Sequence, residues 1–137
     1  MSTLTIKYRR PLVFSGLWLA IGWLLIATVA YLSLTPSPPE VDLLPYDKLR
    51  HGFTYACLMF WFGSVYLPAG HPWLAVSLIV FGIALEILQG MGGVRHFEFF
   101  DMLANATGVL MGWLLCRSAL GTLLLKLEGF LGAERFN

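Results

Sequence analysis

An aspartate, a histidine and a tyrosine recur at four-residue steps in the string Asp47-Lys48-Leu49-Arg50-His51-Gly52-Phe53-Thr54-Tyr55. Two further polar groupings follow: Glu86-Ile87-Leu88-Gln89, and Arg95 ahead of Asp101 and Asn105. A histidine among carboxylates can act as a general acid–base set on a phosphoester, or join them as mixed nitrogen and oxygen ligands to a metal. The catalytic candidates on that view are His51, Glu86 and Asp101. A different chemistry is recognition of an anionic head group by Lys48, Arg50, Arg95 and His51, with acidic neighbours holding the donors in place. A guanidinium matches phosphate and carboxylate geometry especially well. The ligand-binding candidates are then Asp47, Lys48, His51, Tyr55, Glu86, Gln89, Arg95, Asp101 and Asn105. No cofactor or metal is assigned, because His51 has neither an HExxH context nor cysteine ligands. His96 is expected to be exposed in a loop, and no Ser or Cys nucleophile stands beside a base.

These groups lie in an unusual setting. Of 137 residues, 58% are hydrophobic and only 12% charged, with mean hydropathy +0.73. Soluble domains are about one quarter charged, so this composition points to an integral membrane protein. A net charge of +1 without a basic stripe argues against nucleic acid as a partner. Six of the eight carboxylates (Glu40, Asp42, Asp47, Glu86, Glu98 and Asp101) fall in two short stretches bounded by apolar runs. An ionised group at membrane depth costs roughly 2.5–3.5 kcal/mol even on lenient scales, so it is kept where it pairs, lines a wet cavity or acts. Cys57 and Cys116 lie in apolar runs without ligand spacing and read as small buried hydrophobes.

Four apolar segments, about 13–34, 52–67, 73–90 and 101–118, must position the polar residues. A spanning helix needs roughly 20 residues. The first fits unaided; the second reaches full length by starting near Asp47; the third ends with Glu86 and Gln89 in its last turn; the fourth starts at Asp101. The expected fold is all-α, a bundle of four transmembrane helices. The first segment resembles a signal peptide, with Lys7, Arg9 and Arg10 before it and Ala27-Thr28-Val29-Ala30 near its end. Its run to Leu34 exceeds the usual h-region, so it is read as a retained span. The Pro-rich stretch 36–45 is an extended connection. Residues 119–133 read as an interfacial amphipathic helix. The chain therefore divides into an N-terminal segment 1–12, a membrane domain 13–118 and a C-terminal helix region 119–137. Lys7, Arg9, Arg10, Arg117, Lys126 and Arg135 flank one side and Lys48, Arg50 and Arg95 the other, which places both termini in the cytoplasm.

Span order brings Asp47 and His51, Glu86 and Gln89, and Asp101 and Asn105 to the same membrane face, from three different helices. Asp47, His51 and Tyr55 share roughly 80° of helical arc, and Asp101, Asn105, Gly108 and Gly112 about 60°. Gly108 and Gly112 form a small-residue seam suited to close helix packing.

In this order and context, Asp47-Lys48-x-x-His51-x-x-x-Tyr55, Glu86-x-x-Gln89 and Arg95-x5-Asp101-x3-Asn105-x2-Gly108-x3-Gly112 resemble the VanZ-like family of small bacterial membrane proteins. The likeness covers residues 45–116. It implies a multi-pass inner-membrane protein connected with glycopeptide (teicoplanin-type) resistance, and it carries no defined reaction. Two departures are Glu98, where the family often has Ser or Thr, and the stretch Gly90-Met91-Gly92-Gly93-Val94, which lacks the proline often found before the Arg.

Three functions fit these features. The leading one is recognition of an amphiphilic or lipid-linked envelope molecule, with membrane lipids or a lipophilic glycopeptide as partners. The second is an intramembrane hydrolase or transferase acting on a lipid-linked phosphate. The third is a small accessory subunit that packs on other membrane proteins through Gly108, Gly112 and Trp-rich faces; Trp18, Trp23, Trp61, Trp73 and Trp113 otherwise read as lipid-facing or interface anchors. Against all three stands a purely architectural account, in which the charges form a salt-bridged cap over the helix ends. Lys48, Arg50 and Glu98 fit that account best, as solvated interface charges.

Overall fold

The apolar runs become helices. The computed structural model describes residues 8–36, 47–93 and 98–132. Among them the fold is all-helical: α1 (Ser15–Leu34), α2 (Asp47–Val65), α3 (His71–Met91), α4 (Phe99–Arg117) and α5 (Leu123–Phe130), with 3-10 turns at Pro68–Gly70 and Ala119–Thr122. The only extended pairing among the described residues is an isolated bridge between Arg9 and Tyr66. Three helices, α1, α3 with the turn before it, and α4, are long and apolar enough to cross a membrane. Helix α2 is as long as α4, at 19 residues, but its first turn holds Asp47, Lys48 and Arg50, which makes it less apolar. The Pro-rich connection lies largely outside the described residues.

The closest helix pairing joins α2 to α4. A Cβ built on Gly108 would overlap the backbone of Gly52, and one on Gly112 would overlap the Ala56 carbonyl. Two helices can approach this closely only where side chains are missing from the seam. Gly108 and Gly112 are thus used inside the chain, not on an outward face. Helix α3 packs on α4 and α2, and α1 lies against α2 and α3. Tyr55, Leu58, Met59, Ala75, Leu78 and Val109 form a core between α2, α3 and α4. A second cluster of Leu12, Leu19, Phe62, Val65 and Leu124 lies toward the other end of α2.

That other end is stitched by polar contacts to the helix termini. Arg10 Nε donates to Tyr66 O at 3.1 Å, and Arg10 N to Val65 O at 2.9 Å. These bring a cation to the C-terminal end of α2, where the helix dipole favours it. His71, which the sequence places in a loop, is fully buried as the first residue of α3. Its Nε2 lies 3.0 Å from Gly63 O and 3.3 Å from Tyr66 O, carbonyls that a helix end leaves without intrahelical partners.

The C-terminal region differs from the solvated polar face expected of an amphipathic helix. Glu128 of α5 is buried, and its carboxylate accepts from Val13 N (2.7 Å), Phe14 N (2.9 Å) and Trp18 Nε1 (2.7 Å). It caps the start of α1, which has no side-chain cap of its own. Leu120, Leu123, Leu127, Phe130 and Leu131 are exposed instead. The tryptophans also divide. Trp23 and Trp73 are exposed, whereas Trp18 and Trp61 pack edge-on at 6.0 Å and Trp61 Nε1 donates to Trp18 O at 2.9 Å. Trp113 packs on the first core. Cys116 is buried, but Cys57 is exposed, because it lies on the outer side of α2.

Two substitutions test this framework by thermal unfolding of the detergent-solubilised protein. Gly108→Ala forces α2 and α4 apart and should cost about 1–3 kcal/mol; an unchanged midpoint would mean that the seam does not need the close approach. Glu128→Ala removes a charged acceptor from three donors and should cost about 2–3 kcal/mol, with Glu128→Gln losing less.

Candidate functional site

At the opposite end of α2, the polar residues converge. Asp47 lies in the first turn of α2 and Asp101 in the first turn of α4, each where a helix N-terminus favours negative charge. One turn further along, His51 on α2 meets Asn105 on α4: His51 Nδ1 lies 3.1 Å from Asn105 Oδ1. The glycine seam sets this distance, since Gly52 follows His51 and Gly108 is three residues past Asn105. The amide oxygen can only accept, so in this contact Nδ1 carries the hydrogen.

Around that imidazole stand three carboxylates from three helices. His51 Nε2 is 3.9 Å from Asp47 Oδ2 and 3.8 Å from Asp101 Oδ2, and Nδ1 is 3.8 Å from Glu86 Oε1. These separations exceed the 2.7–3.2 Å of an ordinary N–H···O bond, which is about where such bonds end. Glu86 and Asp101 are 3% and 5% exposed, and Asn105 is 3% exposed. The other oxygens of the two aspartates are tied to cations. Asp47 Oδ1 accepts from Arg50 at 3.3 Å, and Asp101 Oδ1 from Lys48 Nζ at 3.2 Å. Lys48 also reaches Glu98 Oε2 at 2.7 Å, so it clamps α2 to the start of α4.

The structure thus gathers Asp47, Lys48, His51, Glu86, Asp101 and Asn105 into one cluster. It places two other sequence candidates differently. Tyr55 is buried one turn below His51, its ring against Gly82 and 6.3 Å from Phe81. Gln89 donates to Ser33 O at 2.6 Å, which satisfies a carbonyl at the end of α1 and joins α3 to it. Arg95, with His96, lies outside the described residues.

Arg50 and Glu98 join the cluster as ion-pair partners, although their sequence setting marks them as solvated. The signal for Glu98 is its position three residues before Asp101: it is the N-cap residue of α4, and its carbonyl accepts from Asp101 N at 3.1 Å. Asp47, His51 and Asp101 each offer one ligand atom, all within 4.8 Å of one another, so these three could hold a metal ion.

The chain matches no protein-family model, no curated protein and no solved structure. The chemistry of the site is therefore read from its own geometry. It can hold a cation between oxygens and a ring nitrogen, move a proton at His51, or hold the polar part of a ligand.

The His51–Asn105 contact is testable alone. Wild-type protein should show a single imidazole tautomer, with hydrogen on Nδ1, by 15N NMR of labelled histidine. Asn105→Ala should give mixed tautomers at His51 and lower stability by about 1 kcal/mol.

Proposed function

We propose that this chain is a multi-pass membrane protein that recognises the charged head group of an amphiphilic or lipid-linked molecule. The observation that supports this reading is the combination of a partly buried ionic cluster, with Glu86 and Asp101 at its buried side and Lys48, Arg50 and Glu98 exposed, and a rim of exposed apolar side chains: Leu49, Phe53, Met91, Phe99 and Phe100 border the ends of α2, α3 and α4. A head group at the cluster would leave its hydrocarbon part against that rim. Such a ligand carries a phosphate or carboxylate on an apolar chain.

On this reading α1 to α4 all span the membrane as a four-helix bundle, with α2 entering through its charged first turn. The exposed leucines of α5 lie along the opposite interface. The excess of basic residues before α1 and after α4 puts both termini in the cytoplasm of a bacterial cell and the cluster on the outer face. The motif likeness to VanZ-like proteins makes tolerance of glycopeptides the phenotype to examine. A second reading, an acid–base or metal-dependent hydrolase or transferase on a lipid-linked phosphate, draws on the three carboxylates around His51.

Native mass spectrometry of gently solubilised protein, titrated with a polyprenyl phosphate and with a neutral polyprenol, tests the leading reading. The phosphate form should bind one per chain at least tenfold more tightly than the alcohol, and His51→Ala should abolish the preference. Equal retention of both lipids would leave the cluster as a cap over the helix ends.

A further inference from the structure

The end of α2 opposite His51 carries charge of the other sign. Arg9, Arg10, Arg117 and Lys126 stand there with Glu128 as the one carboxylate among the described residues. That carboxylate is taken up by Val13 N, Phe14 N and Trp18 Nε1. Beside His51, Lys48 and Arg50 are each held in an ion pair; none of the four cations at this end pairs with a described carboxylate.

Three of the four have local reasons for their positions. Arg10 Nε donates to Tyr66 O, and Lys126 Nζ lies 3.5 Å from Ala119 O. Arg117 ends α4, where the helix dipole favours a cation. Arg9 has none. Its backbone is fixed, since Arg10 N donates to Val65 O at 2.9 Å and Leu67 N to Tyr8 O at 2.6 Å. These bonds make Arg9 and Tyr66 a non-hydrogen-bonded pair, with both side chains leaving the bridge on one side. The side chain is half-buried, and its Nε is shut away without a hydrogen-bond partner. Only Nε is closed off in this way, so the Nη tips, which make no hydrogen bond among the described residues, face outward. The guanidinium is thus desolvated at its root and open at its tip. A partly desolvated cation without a counter-charge attracts an anion strongly, and the planar fork of Arg matches phosphate.

The surroundings indicate what carries the phosphate. Phe14 and Leu17 at the start of α1, and Leu123, Leu127 and Phe130 on α5, are exposed at the same end. Unpaired cations beside an apolar collar fit a molecule with an anionic head and hydrocarbon chains, as basic sites at the ends of membrane helices do. A free anion would leave the collar unused. A zwitterionic lipid would bring a further positive charge to a region already positive.

We propose that this end of the molecule binds an anionic phospholipid of the adjoining leaflet. Arg9 donates to its phosphate, Arg117 and Lys126 add attraction, and the exposed side chains of α1 and α5 meet its acyl chains. The proposal rests on the chain's being embedded in a membrane. It is separate from the head-group reading of the His51 cluster, which lies roughly 28 Å away along the 19-residue α2.

Native mass spectrometry of detergent-purified protein, titrated with phosphatidylglycerol and with phosphatidylcholine of the same acyl chains, is the test. Wild type should retain the anionic lipid at least fivefold more tightly, and the preference should shrink as ionic strength rises. Arg9→Gln, checked for helicity, should remove most of the preference. Arg117→Gln combined with Lys126→Gln changes only exposed side chains and should at least halve it. His51→Ala should leave it unchanged. Equal retention of the two lipids by wild type overturns the proposal whatever the variants do, and so does a preference that survives both Arg9→Gln and the exposed pair. Loss of the preference in His51→Ala alone would move the anionic lipid to the other end and overturn the site here. Inorganic phosphate at millimolar concentration should fail to displace the lipid; full displacement would make this a site for a free anion and overturn the lipid as its occupant.

Discussion

The backbone approach of α2 to α4 is the constraint on which the rest depends. Where Gly108 and Gly112 meet Gly52 and Ala56, the two helices touch without intervening side chains. That contact lies one turn below the polar cluster, and its closeness lets His51 and Asn105 bond directly across the helix pair. A wider separation would leave Asp101 and Asp47 unable to face the same ring nitrogen. The seam is therefore packing in its own right and registration for the site above it.

The two ends of the helices handle charge differently. At one, Glu128, His71 and Arg10 bond backbone groups that helix termini leave unsatisfied, while His71 Nδ1 and Arg9 Nε are buried there without a hydrogen-bond partner. At the other, side chains face side chains, and the distances around His51 Nε2 are longer than hydrogen bonds. The cluster around His51 is tied on its outside by Lys48, Arg50 and Asn105.

Much of this is legible without coordinates. The helix positions follow from apolar run lengths, and α2 begins at Asp47 as length alone requires. The convergence of Asp47, His51, Glu86, Asp101 and Asn105 follows from the order of the spans, and the packing role of Gly108 and Gly112 from their spacing. What the sequence hides are contacts whose partner is backbone, because a carbonyl or amide has no signature in the residue string. Gln89 reads as a site residue, and nothing in the string shows that its Nε2 donates to Ser33 O. His71, between Gly70 and Pro72, reads as a loop residue and is fully buried on Gly63 O. Trp18 and Trp61 read as lipid anchors, but a helix wheel does not reveal that two tryptophans on different helices meet. Lys48 and Glu98 stand fifty positions apart, and only the α2–α4 pairing puts them together.

The carboxylate of Glu128 closes a loop in the order of synthesis. A chain made from its N-terminus forms α1 early, but the group that serves Val13 N and Phe14 N arrives 115 and 114 residues later. Until then, those amides and the Trp18 indole must be served by water or by a transient neighbour. The first helix therefore reaches its final seating only once α5 has been made. A product lacking α5 would carry all four long helices and still lack the clasp that holds the start of α1.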